Sequence, residues 1–502
     1  MPFTRNLIPR KGGTEKRTHP ITILEFVYKY LYLLLIPVLR GLFYLLTTSH
    51  DVYGWLSGAW MDLLVVAFIL FASYLRWRFQ FYCYDGRGLT VRKGLFFRQT
   101  LIIPESAIST LAVEEPFFLR LFRAVHLLAD TEAGPFQRAD CRLVLPKEDA
   151  YRLLKQYGKK TSHNPRLYRP RWTDIAFLSI FVSKTLTGVV FLATFFHKAG
   201  DILGEEFRRR LVNGLEGMAS LLVFLPQTGA ILALLFLGGW LVGFIRNFVR
   251  FIHFTVQREE GALTINSGWL TKRTYSCRVD AVNYLDYRQS ILTRLMGLYM
   301  VFVQCVGYGK GDVLAVLVPA ADTRSCRRTM RMLLPEMAGR PRQIQPSRGS
   351  VIYYALMPFA VCLFLPAAAA TVCHFFPGWR QLIVFLGVML TLPFGWLLIL
   401  RIIDRCTAGI AVSSRQITLR YSRGYVFHTV VIPRERVNYV RIRSSVFQKW
   451  AGNCDVLVYT YGEWGHCHKV KNLRLQEARE LLCLLDGEGS VLGTVKEKGG
   501  GH

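Results

Sequence analysis

Three basic residues recur at one position of a repeated octapeptide. The octapeptides follow one another at intervals of 174 and 155 positions, and their cations are Arg120, Arg294 and Lys449. Such cations can bind anionic lipid headgroups or the acidic groups of a protein partner. The alternative is a helical turn whose aliphatic stem packs while its charged head reaches water. Because Arg and Lys are both accepted, the pattern favours a diffuse electrostatic contact over a bidentate phosphate clamp.

Two further charges interrupt apolar runs. Asp62 lies within Trp55–Leu75, and Lys184 lies within Ile175–His197. Ionisable groups inside membrane spans are costly, and they usually face protein or water rather than lipid. We therefore expect a polar seam in which the two side chains could pair. The alternative is that the spans begin or end elsewhere, so that Asp62 is interfacial and Lys184 extends to the membrane surface.

Signals for catalysis are missing from the sequence. It contains no Walker-type Gly-Lys-Ser/Thr loop, no HExxH and no GxSxG, the motifs that would indicate phosphate binding, zinc chemistry or a nucleophilic serine. The 11 cysteines form no CxxC pair, so we predict neither a metal site nor a disulfide framework. We expect no enzymatic activity and no cofactor.

The composition indicates a basic membrane protein. Hydrophobic residues make up 52% of the 502 positions, charged residues 19%, and the net charge is +29. Such an excess of cations favours an anionic partner, either nucleic acid or an anionic leaflet. Because apolar spans are present, we expect the inner leaflet and no nucleic acid.

Six apolar segments are long enough to cross a bilayer, which takes about 20 residues of helix. They form three pairs: Leu24–Leu46 with Trp55–Leu75, Ile175–His197 with Met218–Ile245, and Val351–Trp379 with Gln381–Leu400. A signal peptide is the competing interpretation of the first segment. Its apolar run is too long and no small-residue cleavage site follows, so we favour an uncleaved anchor.

The basic residues predict the orientation. The segment 76–172 holds 18 Lys/Arg against 9 Asp/Glu, whereas the connector 49–54 has no Lys or Arg. Lys and Arg accumulate in short cytoplasmic segments, and two spans separate each basic block from the next. We therefore expect a multi-pass protein of the cell membrane whose basic blocks and both termini are cytoplasmic. The connector 198–217, with four basic residues, is the exception.

The polar blocks share one order of elements. Alternating strands lead to a glycine turn at Gly94, Gly268 or Gly424, and a further strand begins near Ile108, Val282 or Val437. The octapeptide follows, then more strands, and each block closes with a helical pattern at 147–157, 322–334 or 475–485. Short strands capped by one helix predict an α+β unit, a small β-sandwich or open barrel with a C-terminal helix.

This order resembles the bacterial pleckstrin-homology (PH)-like domain, and the whole chain resembles the YdbT-like multi-pass PH-domain membrane proteins of Gram-positive bacteria. The first copy departs from the pattern, because Arg123 stands where the others have Gly297 and Gly452. We therefore expect its tight turn to differ. The resemblance implies a role in cell-envelope homeostasis or in stress or toxin resistance, and it does not by itself imply phosphoinositide binding.

The predicted protein is a multi-pass α-helical membrane protein with three PH-like domains. These domains would bind a protein partner, another copy of the chain or anionic lipid. A transporter or export accessory with a polar pathway between the hairpins is the alternative. The predicted segments are a basic N-terminus (1–21), three transmembrane hairpins (22–75, 173–246, 349–403), three PH-like domains (76–172, 247–348, 404–486) and a flexible tail (487–502).

Overall fold

The computed structural model describes most of the three polar blocks and part of the apolar helices. The described residues are 15–30, 59–85, 88–94, 97–132, 139–157, 165–182, 227–308, 314–461 and 467–486. We call the polar blocks 76–172, 247–348 and 404–486 the first, second and third units.

Residues 76–157 of the first unit contain six strands and two short helices, and a short strand and two helices begin before them. In chain order these are β1 (Lys16–Arg17), α1 (Thr22–Tyr30), α2 (Ala59–Arg78), β2 (Phe81–Tyr84), β3 (Gly88–Lys93), β4 (Gln99–Pro104), β5 (Ile108–Glu115), α3 (Phe117–Leu121), β6 (Ala124–Thr131), β7 (Cys141–Pro146) and α4 (Lys147–Tyr157).

The second unit repeats this order behind its own short strand and helices. Its elements are β8 (Arg166–Tyr168), α5 (Trp172–Val182), α6 (Gln227–Phe251), β9 (Thr255–Glu259), β10 (Ala262–Ser267), β11 (Lys272–Arg278), β12 (Val282–Gln289), α7 (Ile291–Leu295), β13 (Leu298–Cys305), β14 (Val316–Asp322) and α8 (Thr323–Leu333).

The third unit follows two long helices. The elements are α9 (Val351–Phe375), α10 (Arg380–Thr407), β15 (Gly409–Val412), β16 (Gln416–Arg423), β17 (Val426–Pro433), β18 (Val437–Arg443), α11 (Val446–Trp450), β19 (Asn453–Thr460), β20 (Cys467–Arg474) and α12 (Leu475–Asp486). The predicted closing helices of all three units thus form within one or two residues of the expected bounds.

Alternation of apolar and polar residues builds each unit around a core. In the first unit, Leu89 and Val91 point inward from β3 and are 1% and 2% exposed. Leu127 on β6 and Leu145 on β7 join the same cluster, and α4 covers it with Ala150. The glycine turn between β3 and β4 requires its residue type, because Gly94 has a φ of 118° and an added Cβ would lie 1.9 Å from the Phe97 carbonyl oxygen.

The strands form four sheets, and two of these sheets extend from one unit into the next. The strand orders are β1-β2-β3-β4, β7-β6-β5-β11-β10-β9-β8, β14-β13-β12-β17-β16-β15 and β18-β19-β20. The repeat predicts three units but does not predict that their sheets are joined. In the structure, each unit shares a sheet with the next one along the chain. An edge strand has unpaired backbone N–H and C=O groups, and β5 and β12 satisfy theirs by pairing with the following unit.

We call the pairings β5·β11 and β12·β17 the inner joins. Both are antiparallel, and both use the same register. Leu111 faces Ser276 in the first join. The residues 174 and 155 positions further along, Leu285 and Val431, face each other in the second. One docking geometry is thus used twice.

Charged groups differ between the two joins. In the first, Arg273 lies 3.0 Å from Glu114, which also accepts a hydrogen bond from the Tyr275 hydroxyl at 3.2 Å. In the second, buried Asp286 lies 3.0 Å from Nδ1 of His428 and 2.6 Å from Arg288. Burial raises the pKa of the Asp286 carboxyl, but the hydrogen bond with His428 and the nearby Arg288 guanidinium outweigh it, so that this pKa lies below its usual value.

The described helices before each unit lie, along the chain, between two neighbouring strands of one sheet. The segment before the hairpin pairs with the first strand after it, as β1 with β2 and β8 with β9. Before the third hairpin the same contact is a single bridge between Ile344 and Ile410. The chain therefore leaves a sheet and returns to the adjacent position in that sheet.

Three helices among the described residues are long and apolar enough to cross a membrane. They contain the segments Leu234–Phe251, Val351–Phe375 and Ile383–Thr407. Helix α2 (Ala59–Arg78) overlaps the predicted span Trp55–Leu75 from residue 59 onward, and Leu63 and Phe71 on it are exposed. The predicted spans Leu24–Leu46 and Ile175–His197 begin in α1 and α5 and continue outside the described residues.

Candidate membrane-facing site

The three octapeptides fold into the short helices α3, α7 and α11. In the second and third units a capping box begins the helix. The Ser290 Oγ accepts a hydrogen bond from the Thr293 amide at 3.2 Å, and the Ser445 Oγ accepts one from the Gln448 amide at 3.3 Å. Each box satisfies amide groups that a helix N-terminus leaves without an intrahelical partner.

The turn after the short helix has the same conformation in all three units. Arg123 has a φ of 53°, close to the 68° of Gly297 and the 63° of Gly452. The expectation that Arg123 gives the first unit a different turn is therefore wrong. The arginine instead adopts the left-handed conformation, at a cost of roughly 1 kcal/mol that glycine avoids.

Apolar side chains on these helices face outward. The positions Leu121, Leu295 and Trp450 are equivalent in the repeat and are 70%, 80% and 83% exposed. A second exposed set is formed by Phe118, Leu292 and Phe447. We call these six residues the apolar rim. Sequence reasoning singled out the cation and missed the rim, although its members lie at fixed positions two before and one after that cation.

Two of the three predicted cations contact the following unit. The Arg120 guanidinium donates a hydrogen bond to the Trp269 carbonyl oxygen at 3.3 Å. The Arg294 guanidinium lies 4.9 Å from the centre of the Phe427 ring. Lys449, in the last unit, is exposed. The structure therefore supports packing for the first two cations and leaves the third open to solvent.

The rim lies beside the ends of the apolar helices. The Tyr353 hydroxyl near the start of α9 donates a hydrogen bond to the Phe447 carbonyl oxygen at 3.4 Å. Ile291, which begins α7, packs in one cluster with Leu400 of α10. The short helices thus lie at the end of the molecule where α9 begins and α10 ends.

The glycine turns project at the same end. The Gly268 amide donates a hydrogen bond to the Ile252 carbonyl oxygen, directly after α6, at 2.9 Å. The turns also carry exposed aromatic residues: Phe97, Trp269 and Tyr425 are 85%, 59% and 44% exposed. Aromatic and aliphatic side chains beside cations suit the headgroup region of a bilayer.

A polar cavity of about 900 Å³ lies at the other ends of the strands, where the three units meet. Several of its charged side chains form ion pairs. Arg258 lies 3.2 Å from Glu336, and Arg278 lies 3.1 Å from Asp280. Arg436 lies 2.8 Å from Glu132 of the first unit. The last of these contacts joins the third unit to the first, so we assign this cavity to assembly of the fold.

The other predicted features are only partly described. Asp62 belongs to α2, but its side chain lies outside the described part of the structure, as does Lys184 entirely. Their pairing stays a prediction. Within the described ranges, no group of three or more His, Cys, Asp or Glu side chains could hold a metal ion.

Comparison with known proteins matches the repeat directly. The sequence profile described as "Bacterial PH domain" matches residues 31–161, 217–333 and 360–488. The chain is 22% identical over 461 residues to the UPF0699 transmembrane protein YdbT of Bacillus subtilis (strain 168), and the match covers 86% of this chain and 90% of that protein. No solved structure matches the chain.

Proposed function

Because this chain belongs to the bacterial PH domain family, we propose that it is a non-enzymatic integral membrane protein that presents three PH-like units at the cytoplasmic leaflet. The units bind anionic lipid or protein partners there. The apolar rim rests in the headgroup region and fixes the height of each unit above the bilayer. Three linked weak contacts act together more strongly than one.

The rim is the observation that carries this proposal. Soluble proteins rarely leave large apolar side chains exposed as a contiguous patch. Leu121, Leu295 and Trp450 are each at least 70% exposed at equivalent positions. Their recurrence beside the ends of apolar helices is what a lipid-facing surface requires.

The sheet pairing supports one orientation for all three units. A strand before each hairpin pairs with the strand after it, so an even number of membrane crossings must separate the two. Two crossings per hairpin satisfy this condition and put every unit on the same side. The excess of Lys and Arg in the units, with a net charge of +29 for the chain, favours the cytoplasmic side.

The cations give the surface its preference for anionic lipid. Juxtamembrane Lys and Arg each contribute about 1 kcal/mol of attraction to an anionic leaflet. Lys449 is exposed and contributes as a free charge, whereas Arg120 and Arg294 hold their side chains against the following unit. The expected contact is diffuse and weakens with salt.

The physiological process is proposed from family resemblance alone. The similar Bacillus protein is named a transmembrane protein, and the family resemblance points to envelope homeostasis or to stress or toxin resistance. A transport pathway through Asp62 and Lys184 stays an alternative prediction, since neither side chain lies in the described part of the chain.

The test uses the full-length protein in liposomes. A fluorescent amino acid replaces Leu295, and its quenching by lipids that carry bromine near the headgroup is measured. The measurement is repeated in neutral and in anionic bilayers across a salt series. We expect stronger quenching on anionic lipid, with the difference removed by salt or by the triple variant Arg120→Gln, Arg294→Gln, Lys449→Gln. Equal quenching on both lipids would reject the preference for anionic lipid and leave protein partners.

A further inference from the structure

Two strand edges lack the partner that their equivalents have. In the repeat, β4 corresponds to β11 and β17, and β18 corresponds to β5 and β12, the four strands of the inner joins. Over the described residues, one sheet ends at β4 and another ends at β18. We call β4 and β18 the outer edges.

The outer edges carry apolar side chains that their equivalents bury. Ile102 on β4 is 37% exposed, whereas the equivalent Ser276 and Val431 are 2% and 0% exposed. On β18 no residue is fully buried, whereas all but one residue of β5 are buried. Burial at these positions thus follows the presence of a neighbouring strand.

We propose that β18 of one copy pairs with β4 of a second copy of this chain, head to tail, in the antiparallel register of the inner joins. Leu111 faces Ser276 and Leu285 faces Val431, and the next pair of equivalent residues is Val440 and Ile102. The same register sets Ile442 opposite Thr100. Val440 and Ile102 therefore form an apolar pair on the face of the new ladder that also carries Ile442 and Thr100.

The chemistry of the two edges fits this pairing. Strand addition satisfies the backbone groups of both edges. The register sets Arg443 opposite Gln99, so no like charges oppose each other. The Arg441 guanidinium lies over the Tyr439 and Tyr459 rings, 5.8 and 5.9 Å from their centres. Because the guanidinium lies over a face of the sheet, it does not cover the backbone N–H and C=O groups at the β18 edge.

A second copy is the occupant that the repeat itself specifies. The inner joins apply one docking geometry from the first unit to the second and again from the second to the third. Applying it once more requires a first unit. The first unit of the same chain meets the third at the cavity, through Glu132 and Arg436, but over the described residues its β4 does not pair with β18. Such a head-to-tail contact is heterologous and generates a ring or an open row of chains. The rim of each copy stays on the same membrane face.

The experiment co-expresses two full-length copies with different tags in one membrane. One copy carries Ile102→Cys and the other carries Val440→Cys. Directly opposite side chains have Cβ atoms about 5 Å apart, so a short thiol crosslinker should yield a covalent species that contains both tags. Each variant expressed alone gives the background from the 11 native cysteines.

The matched control moves one cysteine by a single residue. Ile102→Cys with Arg441→Cys sets the two thiols on opposite faces of the ladder, and its crosslinking should stay at background. An equal yield for both pairs would overturn the proposed register. A single chain carrying both Ile102→Cys and Val440→Cys is the last arm. If only that chain crosslinks, and the crosslink is intramolecular with no product that carries both tags, then the chain closes on itself and the proposal is wrong.

Should the cysteine variants fold poorly, Ile102→Lys combined with Val440→Lys provides a second measurement. Facing cations would repel across the ladder. Light scattering on the solubilised protein should then show the mass of a single chain, whereas the unchanged protein shows a multiple of it. A single-chain mass for both proteins would also overturn the proposal.

Discussion

The inner joins and the outer edges are built from equivalent strands in different surroundings. At the joins, Leu285 and Val431 face each other and are both 0% exposed. At the outer edges, the equivalent Val440 is only partly buried and Ile102 is 37% exposed. The strand pattern is shared, so the burial of these positions depends on what lies beside the strand.

Pairing between the edge strands of successive units joins the three units of this membrane protein. Each unit supplies two edges, and the register of the joins links them in series without any dedicated linker domain. The first and last units each retain one edge.

A charge placed in an inner join should disrupt it. Val431→Asp buries a carboxylate opposite Leu285, which we expect to lower the free energy of local opening of β12 and β17 by about 4 kcal/mol. In solubilised protein diluted until it consists of single chains, the equivalent Ile102→Asp at an outer edge reaches water and should cost β4 less than about 1 kcal/mol. Hydrogen exchange of the strand amides measures both.

Similar losses for the two aspartate variants would mean that β4 is as enclosed as β17. That result would remove the distinction between joins and edges.

Acid should weaken the second join through Asp286. Its pKa lies below the usual value in the folded protein, so its contribution to stability is present above the unfolded pKa of about 3.9. The contribution is lost as the pH falls through the folded pKa. Asp286→Asn should lower the free energy of local opening of this join by about 2 kcal/mol at neutral pH. Between neutral pH and acid, that free energy should then vary less with pH than in the unchanged protein.

The first join is the internal control for this titration. Hydrogen exchange over β11 in the same Asp286→Asn protein should follow the unchanged protein at every pH. A parallel change in both joins would indicate general acid unfolding rather than the effect of this carboxyl.

A hydroxyl in the first join offers a smaller test. The Ser276 side chain is 2% exposed, and its Oγ has no hydrogen-bond partner among the described residues. The equivalent residue in the third unit is Val431. Ser276→Val should therefore stabilise β11 against local opening by about 1 kcal/mol, seen as slower amide exchange. A loss of protection would show that the site cannot hold the larger side chain.

Much of this architecture could be predicted from the sequence. Apolar runs without charges indicated the helices that contain Val351–Phe375 and Ile383–Thr407, and the repeat predicted three units with closing helices. Periodicity describes one chain segment at a time, so it could not show that β5 would pair with β11 rather than remain an edge. The left-handed Arg123 was also unpredictable from residue type, because glycine is the usual choice there.

The site was only half predicted. The octapeptide cations drew attention because charge stands out in sequence, and two of them, Arg120 and Arg294, contact the following unit. Leu121, Leu295 and Trp450 were not predicted as part of a site, because a helix pattern does not reveal which face is buried. Only the position of the short helices beside α9 and α10 identifies the outward face.

The most direct test of the central claim compares depth in the bilayer at two positions of one unit. A fluorophore replaces Leu295 on the rim or Glu260 at the far end of β9, and both sites are exposed in the protein. Bromine-labelled lipids are then titrated into liposomes that contain the full-length protein. The account predicts strong quenching at position 295 and little at position 260. Equal quenching at both positions, or stronger quenching at 260, would contradict it.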